Sequence, residues 1–317
     1  MKESIVIGAG PAGLSAGLTL ARARRSTLVV DAGQQSNLAA ATIGGLLGHD
    51  RRPPAEYYAA ARADLTAYPS VELRSGEAVT AVRQDGGGFV VTFGDGSSEH
   101  ARTMILAPGM DYRIPPVPGL AERWGGSVFH CPFCHGWELR ERPMAVLATG
   151  AVGVHGALNL RGWTDSVTLL TNGTPLTDGQ RDLLTAGGVA WDERPVAALD
   201  GPRAASDGPG TGFDGPGAGL SAVVFADGGA LDVTAMLVKS TLYQRGTLAR
   251  DLGATLTAPD EMLSVEAIAV DPMGRTGVPG LYAAGDAATP VPPSMAAAVA
   301  SGYLAGAAAA VELAAGY

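Results

Sequence analysis

Both cysteines of this 317-residue chain lie in one stretch, His130-Cys131-Pro132-Phe133-Cys134-His135-Gly136-Trp137-Glu138. Thiols spaced Cys-x-x-Cys can close a disulfide on each other, reopen it by exchange with an outside thiol, and hold one sulfur as a reactive thiolate. A structural staple is the poorer account, because closing so short a loop removes little unfolded-state entropy. Zinc is poorer too. His130, Cys131, Cys134 and His135 crowd four donors into six residues, too cramped for a tetrahedral site, so no metal is expected. Redox exchange at Cys131 and Cys134 is the chemistry that remains. His135, beside the second thiol, is the expected proton carrier, base for an incoming thiol and acid for a leaving one, with a pKa suited to neutral pH. His130 is the weaker candidate, because adjacent residues on an extended segment often point opposite ways. Phe133 and Trp137 read either as apolar walls beside the thiols or as plain core, and no role is assigned to Glu138.

The elements that must carry these groups repeat. Residues 4 to 33 read as an apolar strand, a glycine-rich turn, an amphipathic helix and a second strand ending in Asp31. Residues 144 to 173 do the same at a constant offset of 140, so that Gly10 falls on Gly150 and Gly13 on Gly153, while Gly8 falls on Ala148. In the first copy Gly8, Gly10 and Gly13 form Gly-x-Gly-x-x-Gly, which allows the tight turn, the approach of backbone to a pyrophosphate, and the packing of helix on strand. The helix N-terminus then faces the anion, and Asp31 is placed to accept hydrogen bonds from an adenosine ribose. The second copy lacks the first glycine. Its strand ends at Thr171-Asn172, where neither a carboxylate for a ribose nor arginines for a 2′-phosphate stand, and Arg161 is left as a candidate phosphate ligand.

Composition narrows the classes. Hydrophobic residues make up 46% and charged residues 17%, enough for two cores, and the net charge of −9 disfavours nucleic acid and anionic membranes as partners. Met1 runs straight into a strand-like segment without a leader pattern, which suggests a cytoplasmic protein. The apolar run from Ser294 is built of Ala and Gly and reads as a packed helix, not a membrane span. The Gly/Pro-rich stretch from Asp200 to Gly219 reads as a hairpin tip without chemistry.

The stretch from Thr276 to Pro290, a strand ending at Gly285-Asp286 before a long helix, together with the first glycine motif, resembles the FAD-binding halves of the two-dinucleotide disulfide oxidoreductases. With Cys-x-x-Cys just before the second fold, the whole chain is similar to the low-molecular-weight thioredoxin reductases. That resemblance implies FAD as cofactor and an α/β fold of two Rossmann-like domains, the second inserted into the first. The FAD domain would be residues 1–112 and 246–317, and the insert 113–245, carrying the thiols on a fold degenerate for nicotinamide. It further implies Asp286 at the ribityl chain or phosphate, Cys134 against the flavin, Cys131 exchanging with substrate, and a homodimer. Asn37 falls in the region that wraps the flavin ring in that family, and is either a flavin contact or part of a polar turn. Where the family has Arg-Gln-Ala at the helix facing the flavin, this chain has Pro293-Ser294-Met295, and the resemblance implies that loss of the long side chain would open the flavin face to a bulky substrate or oxygen.

Cys-Pro-Phe-Cys-His-Gly-Trp-Glu resembles the motif of the dithiol oxidases that close the disulfides of gliotoxin, holomycin and romidepsin-type depsipeptides. The expectation is an FAD-dependent dithiol oxidase, of holomycin type by closest resemblance, that takes electrons from a small dithiol and passes them to molecular oxygen. The alternatives are a disulfide reductase fed by NADPH or a ferredoxin-type donor, and a flavin-binding redox sensor.

Overall fold

The computed structural model describes residues 1–202, 219–258, 266–288 and 293–315. The stretch 203–218, which holds most of the expected hairpin tip, lies outside them. The chain divides into two compact units, one of Met1–Ser36, Ala55–Tyr112 and Leu242–Tyr317, the other of Asn37–Pro54 and Arg113–Thr241.

In the first unit the described strands run in the order Val71–Ser75, Thr27–Asp31, Lys2–Ile7, Ser98–Leu106, Phe89–Phe93, Ala78–Arg83. Val71–Ser75, Thr27–Asp31, Lys2–Ile7 and Ser98–Leu106 are parallel, and the last two strands add an antiparallel hairpin. Leu281–Ala283 joins Ser98–Leu106 in parallel, so the C-terminal portion of the chain returns to the same sheet. Every residue of Thr27–Asp31 is buried, as expected of a parallel strand covered on both faces. Ile5, Ile7, Leu28, Val30, Met104 and Leu106 fill one face with Phe89 and Ile268.

The helix Met295–Ala315 is long and apolar enough to cross a membrane by length and composition. Its small residues have another use here. Gly302 lies so close to the helix Pro11–Arg22 that a Cβ on it would collide with the Ala12 carbonyl. Alanine and glycine let the two backbones approach, and this contact fixes the start of Pro11–Arg22 against the C-terminal part of the unit.

The second unit carries a parallel sheet in the order Ala190–Asp192, Val167–Leu170, Met144–Leu147, Ala235–Val238, Val128–Phe129 among the described residues. Strand pleating sends Met144 and Val146 to one core and Ala145 and Leu147 to the other. An antiparallel meander of Val196–Asp200, Ala222–Phe225 and Ala230–Asp232 contributes Leu199, Val223 and Phe225 to the second of these. The repeat is exact in register: Ser4 pairs with Thr27 and Met144 with Val167, each shifted by the same offset.

The division departs from the expected boundaries at two places. Residues 37–54 belong with the thiol-bearing unit, because Gly44 presses its backbone on Cys134, where a Cβ would strike the Cys134 carbonyl. Residues 242–245 belong with the first unit, where Leu242 enters the core beside Ile268 and Leu281.

Candidate active site

The three glycines of the first turn have separate tasks. Gly8 takes a φ of +106°, open only to glycine, and a Cβ there would collide with the Ala107 carbonyl. One on Gly13 would strike the Gly8 carbonyl, so Gly13 lets the helix sit on the turn. Gly10 faces open space, with nothing within 4 Å of a Cβ. Gly10 is also the N-cap of Pro11–Arg22, offers no side-chain cap, and no acidic residue follows in the first turn. The helix therefore presents bare first-turn amides beside an open face, which suits a pyrophosphate.

Asp31 ends its strand next to this turn, and both of its oxygens are held by the chain. Its Oδ1 accepts from the Gly33 amide at 2.8 Å and the Gln35 side chain at 2.9 Å, and its Oδ2 accepts from Arg62 Nε at 3.0 Å and Nη2 at 2.6 Å. Gln35 also donates to the Ala9 carbonyl at 3.2 Å, tying the strand end to the glycine turn. Gly285 approaches Ala12 of the same helix, to 2.9 Å for an added Cβ, and so brings Asp286 into this neighbourhood. The Tyr112 hydroxyl donates to Asp286 Oδ2 at 2.8 Å. Burial raises the Asp286 pKa, opposed by that hydrogen bond and by the charge of Arg245. Met295 opens the last helix, whose Ala297 amide donates to Ser294 Oγ at 3.1 Å. Open turn, bare amides and two carboxylates at strand ends fit the pyrophosphate and sugar of FAD. The structure thus groups Gly8, Gly10, Gly13, Asp31, Gly285, Asp286 and Met295 in one unit, while Asn37, in the short turn Ser36–Ala39, falls in the other. Sequence reading missed Arg62, Gln35, Tyr112 and Arg245, which belong to no motif.

Cys131 caps the helix Pro132–Leu139 in an extended conformation, and Pro132 occupies the first helical position, where no amide is needed. One turn on, the Cys134 amide donates to the Cys131 carbonyl at 3.2 Å, and the two sulfurs stand 2.6 Å apart. The Cys131 pKa is lowered, chiefly by the hydrogen bond from the Cys134 thiol, with help from the Cys134 and Phe133 amides and against burial. A Cβ on Gly136 would lie 2.9 Å from the Trp163 indole, so glycine lets that ring close on the helix. Phe133 meets the same indole edge-on at 5.2 Å. Phe133 and Trp137 are 72% and 61% exposed, which removes the plain-core reading.

His135 departs from expectation. It is buried and stacked on Phe129 at 5.7 Å, and desolvation pushes its pKa down to about 4 instead of leaving it near neutrality. At pH 7 the imidazole is neutral, ready to accept a proton but with little affinity for one. His130 stacks on Trp124 at 5.5 Å and is likewise pushed down to about 4, by burial first and by His135 second.

The second glycine turn is wound differently from the first. Ala148 has no left-handed φ, and the positive angle moves to Gly150, at +61°. Thr171 is fully buried, and Asn172 uses its side-chain oxygen to accept the Val196 amide at 2.8 Å. Arg161 donates to the Gly187 and Thr164 carbonyls and pairs with Asp165 at 3.1 Å. Arg181 pairs with Glu193 at 2.8 Å, and Arg194 with Asp192 at 2.7 Å and Asp227 at 3.1 Å.

A family model described as pyridine nucleotide-disulphide oxidoreductase matches residues 2–187. The chain is 32% identical to thioredoxin reductase tcpT of Claviceps purpurea over 299 residues, covering 90% of this chain and 86% of that one. Among solved structures, an oxidoreductase from Agrobacterium tumefaciens is 34% identical, with a TM-score of 0.87 over 98% of each chain. The crystal structure of HlmI is 32% identical, with a TM-score of 0.87 over 99% of this chain and 92% of that one.

Proposed function

The chain belongs to the pyridine nucleotide-disulphide oxidoreductase family as a thioredoxin reductase-like FAD enzyme, and on that premise we propose that it is a dithiol oxidase. In this reading it closes an intramolecular disulfide in a small secondary metabolite of the holomycin or gliotoxin kind, and oxygen is reduced to hydrogen peroxide. The observation that carries the reading is the state of the second dinucleotide fold. Its architecture persists, but Arg161, Arg181 and Arg194 are each committed to carbonyls or carboxylates of the chain itself. Such arginines are poorly disposed to hold a 2′-phosphate, so electrons have reason to enter elsewhere.

The thiol motif, with Cys131 and Cys134 half-buried between the exposed Phe133 and Trp137, supplies the other entrance. A substrate thiolate attacks Cys131 of the Cys131–Cys134 disulfide, and Cys134 leaves as a thiolate. The second substrate thiolate attacks the substrate sulfur of the mixed disulfide and releases Cys131. The product carries the new disulfide, and the enzyme carries two thiols. A leaving thiol of low pKa departs faster, so the depressed pKa of Cys131 favours the closing step. The incoming thiol gives up its proton to solvent, because His135, buried and pushed down to about 4, is a poor base at neutral pH. Gly8, Gly10, Gly13, Asp31 and Asp286 would hold FAD, which would supply a two-electron acceptor for the dithiol and a donor to oxygen.

The test is flavin absorbance without oxygen, with NADPH in one cuvette and a small dithiol in another, followed by air. Bleaching by the dithiol alone, then return of colour with one hydrogen peroxide per dithiol, supports the oxidase. Rapid bleaching by NADPH at low concentration would show a reductase instead.

A further inference from the structure

Asp286 sits in the turn Gly285–Ala287 that follows the strand Leu281–Ala283. Two other strands, Met110–Arg113 and Thr241–Gln244, pair as a ribbon beside it. From this ribbon Tyr112 donates to Asp286 Oδ2 at 2.8 Å, and Gln244 donates to the Ala287 carbonyl at 2.9 Å. Arg245, the next residue, donates to the Gln34 carbonyl and, at 3.4 Å, to the Ser36 hydroxyl, and its charge acts on Asp286. From the other side Ala12 faces Gly285, and Ser301 Oγ accepts the Gly285 amide at 3.0 Å. Among the described residues, Tyr112 and Arg245 are the titratable or charged groups that act on this carboxylate.

We propose that Tyr112 and Arg245 are positioning residues for the flavin site, holding Asp286 as an aimed carboxylate able to accept hydrogen bonds from the hydroxyl-bearing chain of the cofactor. Tyr112 occupies Oδ2 and stops rotation of the carboxyl group, which leaves Oδ1 to the ligand. Arg245 supplies the positive charge that a carboxylate withdrawn from water needs to stay ionised. The assignment does not depend on whether electrons arrive from a dithiol or from a nicotinamide.

The experiment measures FAD dissociation from the holoprotein by released flavin fluorescence, between about pH 5 and 9. In the wild type, affinity should fall on acidification as Asp286 takes up a proton, and Asp286→Asn should bind weakly without that step. Tyr112→Phe and Arg245→Gln should each move the midpoint up by about one pH unit. A merely structural role would lower the unfolding temperature and weaken FAD evenly at every pH, leaving the midpoint in place, and that result overturns the assignment. So does a wild-type profile with no step for Asp286→Asn to remove. If Arg245→Gln holds no flavin at any pH, Arg245→Lys, which keeps the charge, must restore the wild-type midpoint, and failure to do so also overturns it.

Discussion

Arg62 grips Asp31 Oδ2 with two donors, Nε at 3.0 Å and Nη2 at 2.6 Å, from the helix Pro54–Thr66. The Asp31 side chain is 10% exposed and that of Arg62 is 32% exposed, so losing the guanidinium strands a carboxylate that water barely reaches. Arg62→Ala is expected to cost about 2 kcal/mol of stability and to loosen FAD, because the carboxylate at the strand end can then rotate. Arg62→Lys restores charge without the two-pronged geometry and should recover part of the loss. Thermal unfolding followed with flavin release checks both. Unchanged unfolding and flavin retention in Arg62→Ala would remove the residue from the site.

His135 makes the protein acid-sensitive. Its folded-state pKa of about 4 lies below the 6.5 of free imidazole, so between those values the unfolded chain binds more protons. The stability is complete above about pH 6.5 and is lost as pH falls toward 4, by about 3 kcal/mol at most for this group. His130 is depressed in the same direction and adds to the same window. His135→Phe keeps a ring against Phe129 and should flatten the acid limb of a stability-against-pH curve measured by urea unfolding. An acid limb as steep as that of the wild type would mean that the imidazole is not held neutral.

The repeated strand, turn and helix were legible because hydrophobic runs and glycines recur at one offset, and the paired registers of Ser4 with Thr27 and Met144 with Val167 show the same repeat in space. The pairing of Cys131 with Cys134 in space was legible from spacing alone. Arg62, Tyr112 and Arg245 were not, because each is a single residue carried to its carboxylate by strand order and long-range return of the chain. The burial of His135 was equally hidden. Residue type tells which proton can move, whereas desolvation by Phe129 and the surrounding helix sets the pH at which it does. The membership of 37–54 in the thiol-bearing unit depends on backbone meeting backbone at Gly44, and no side-chain pattern reports that.

That meeting is open to direct test. Gly44 has no left-handed φ, so alanine is allowed there by its own backbone, and the penalty is wholly the collision of its Cβ with the Cys134 carbonyl. Backbone cannot swing aside as a flexible side chain can. Gly44→Ala should cost about 1–3 kcal/mol and slow dithiol turnover by displacing Cys134. Gly136→Ala meets the Trp163 indole at 2.9 Å and should perturb the same helix from its other side. Stopped-flow rates of flavin reduction by dithiol read the effect. Normal rates in Gly44→Ala would mean that this contact does not place Cys134.

The sulfurs of Cys131 and Cys134 are 2.6 Å apart, and the hydrogen bond from Cys134 is the leading cause of the lowered Cys131 pKa. Two replacements of Cys134 separate that cause from the helix amides. Serine keeps a donor one bond from the chain, so in Cys134→Ser the Cys131 thiolate should persist to low pH. Alanine removes the donor while leaving the Phe133 amide and the amide of residue 134 in place. The midpoint for alkylation of Cys131 by iodoacetamide, followed by mass spectrometry, should therefore rise in Cys134→Ala by on the order of one pH unit relative to Cys134→Ser. Equal midpoints would assign the thiolate to the helix N-terminus instead. The distinction bears on the chemistry, because a thiolate held mainly by its partner is stabilised only while both thiols are reduced. Cys131 would then leave the mixed disulfide readily once the Cys134 thiolate has taken up a proton and can donate to it, and would lose that support once the enzyme disulfide closes.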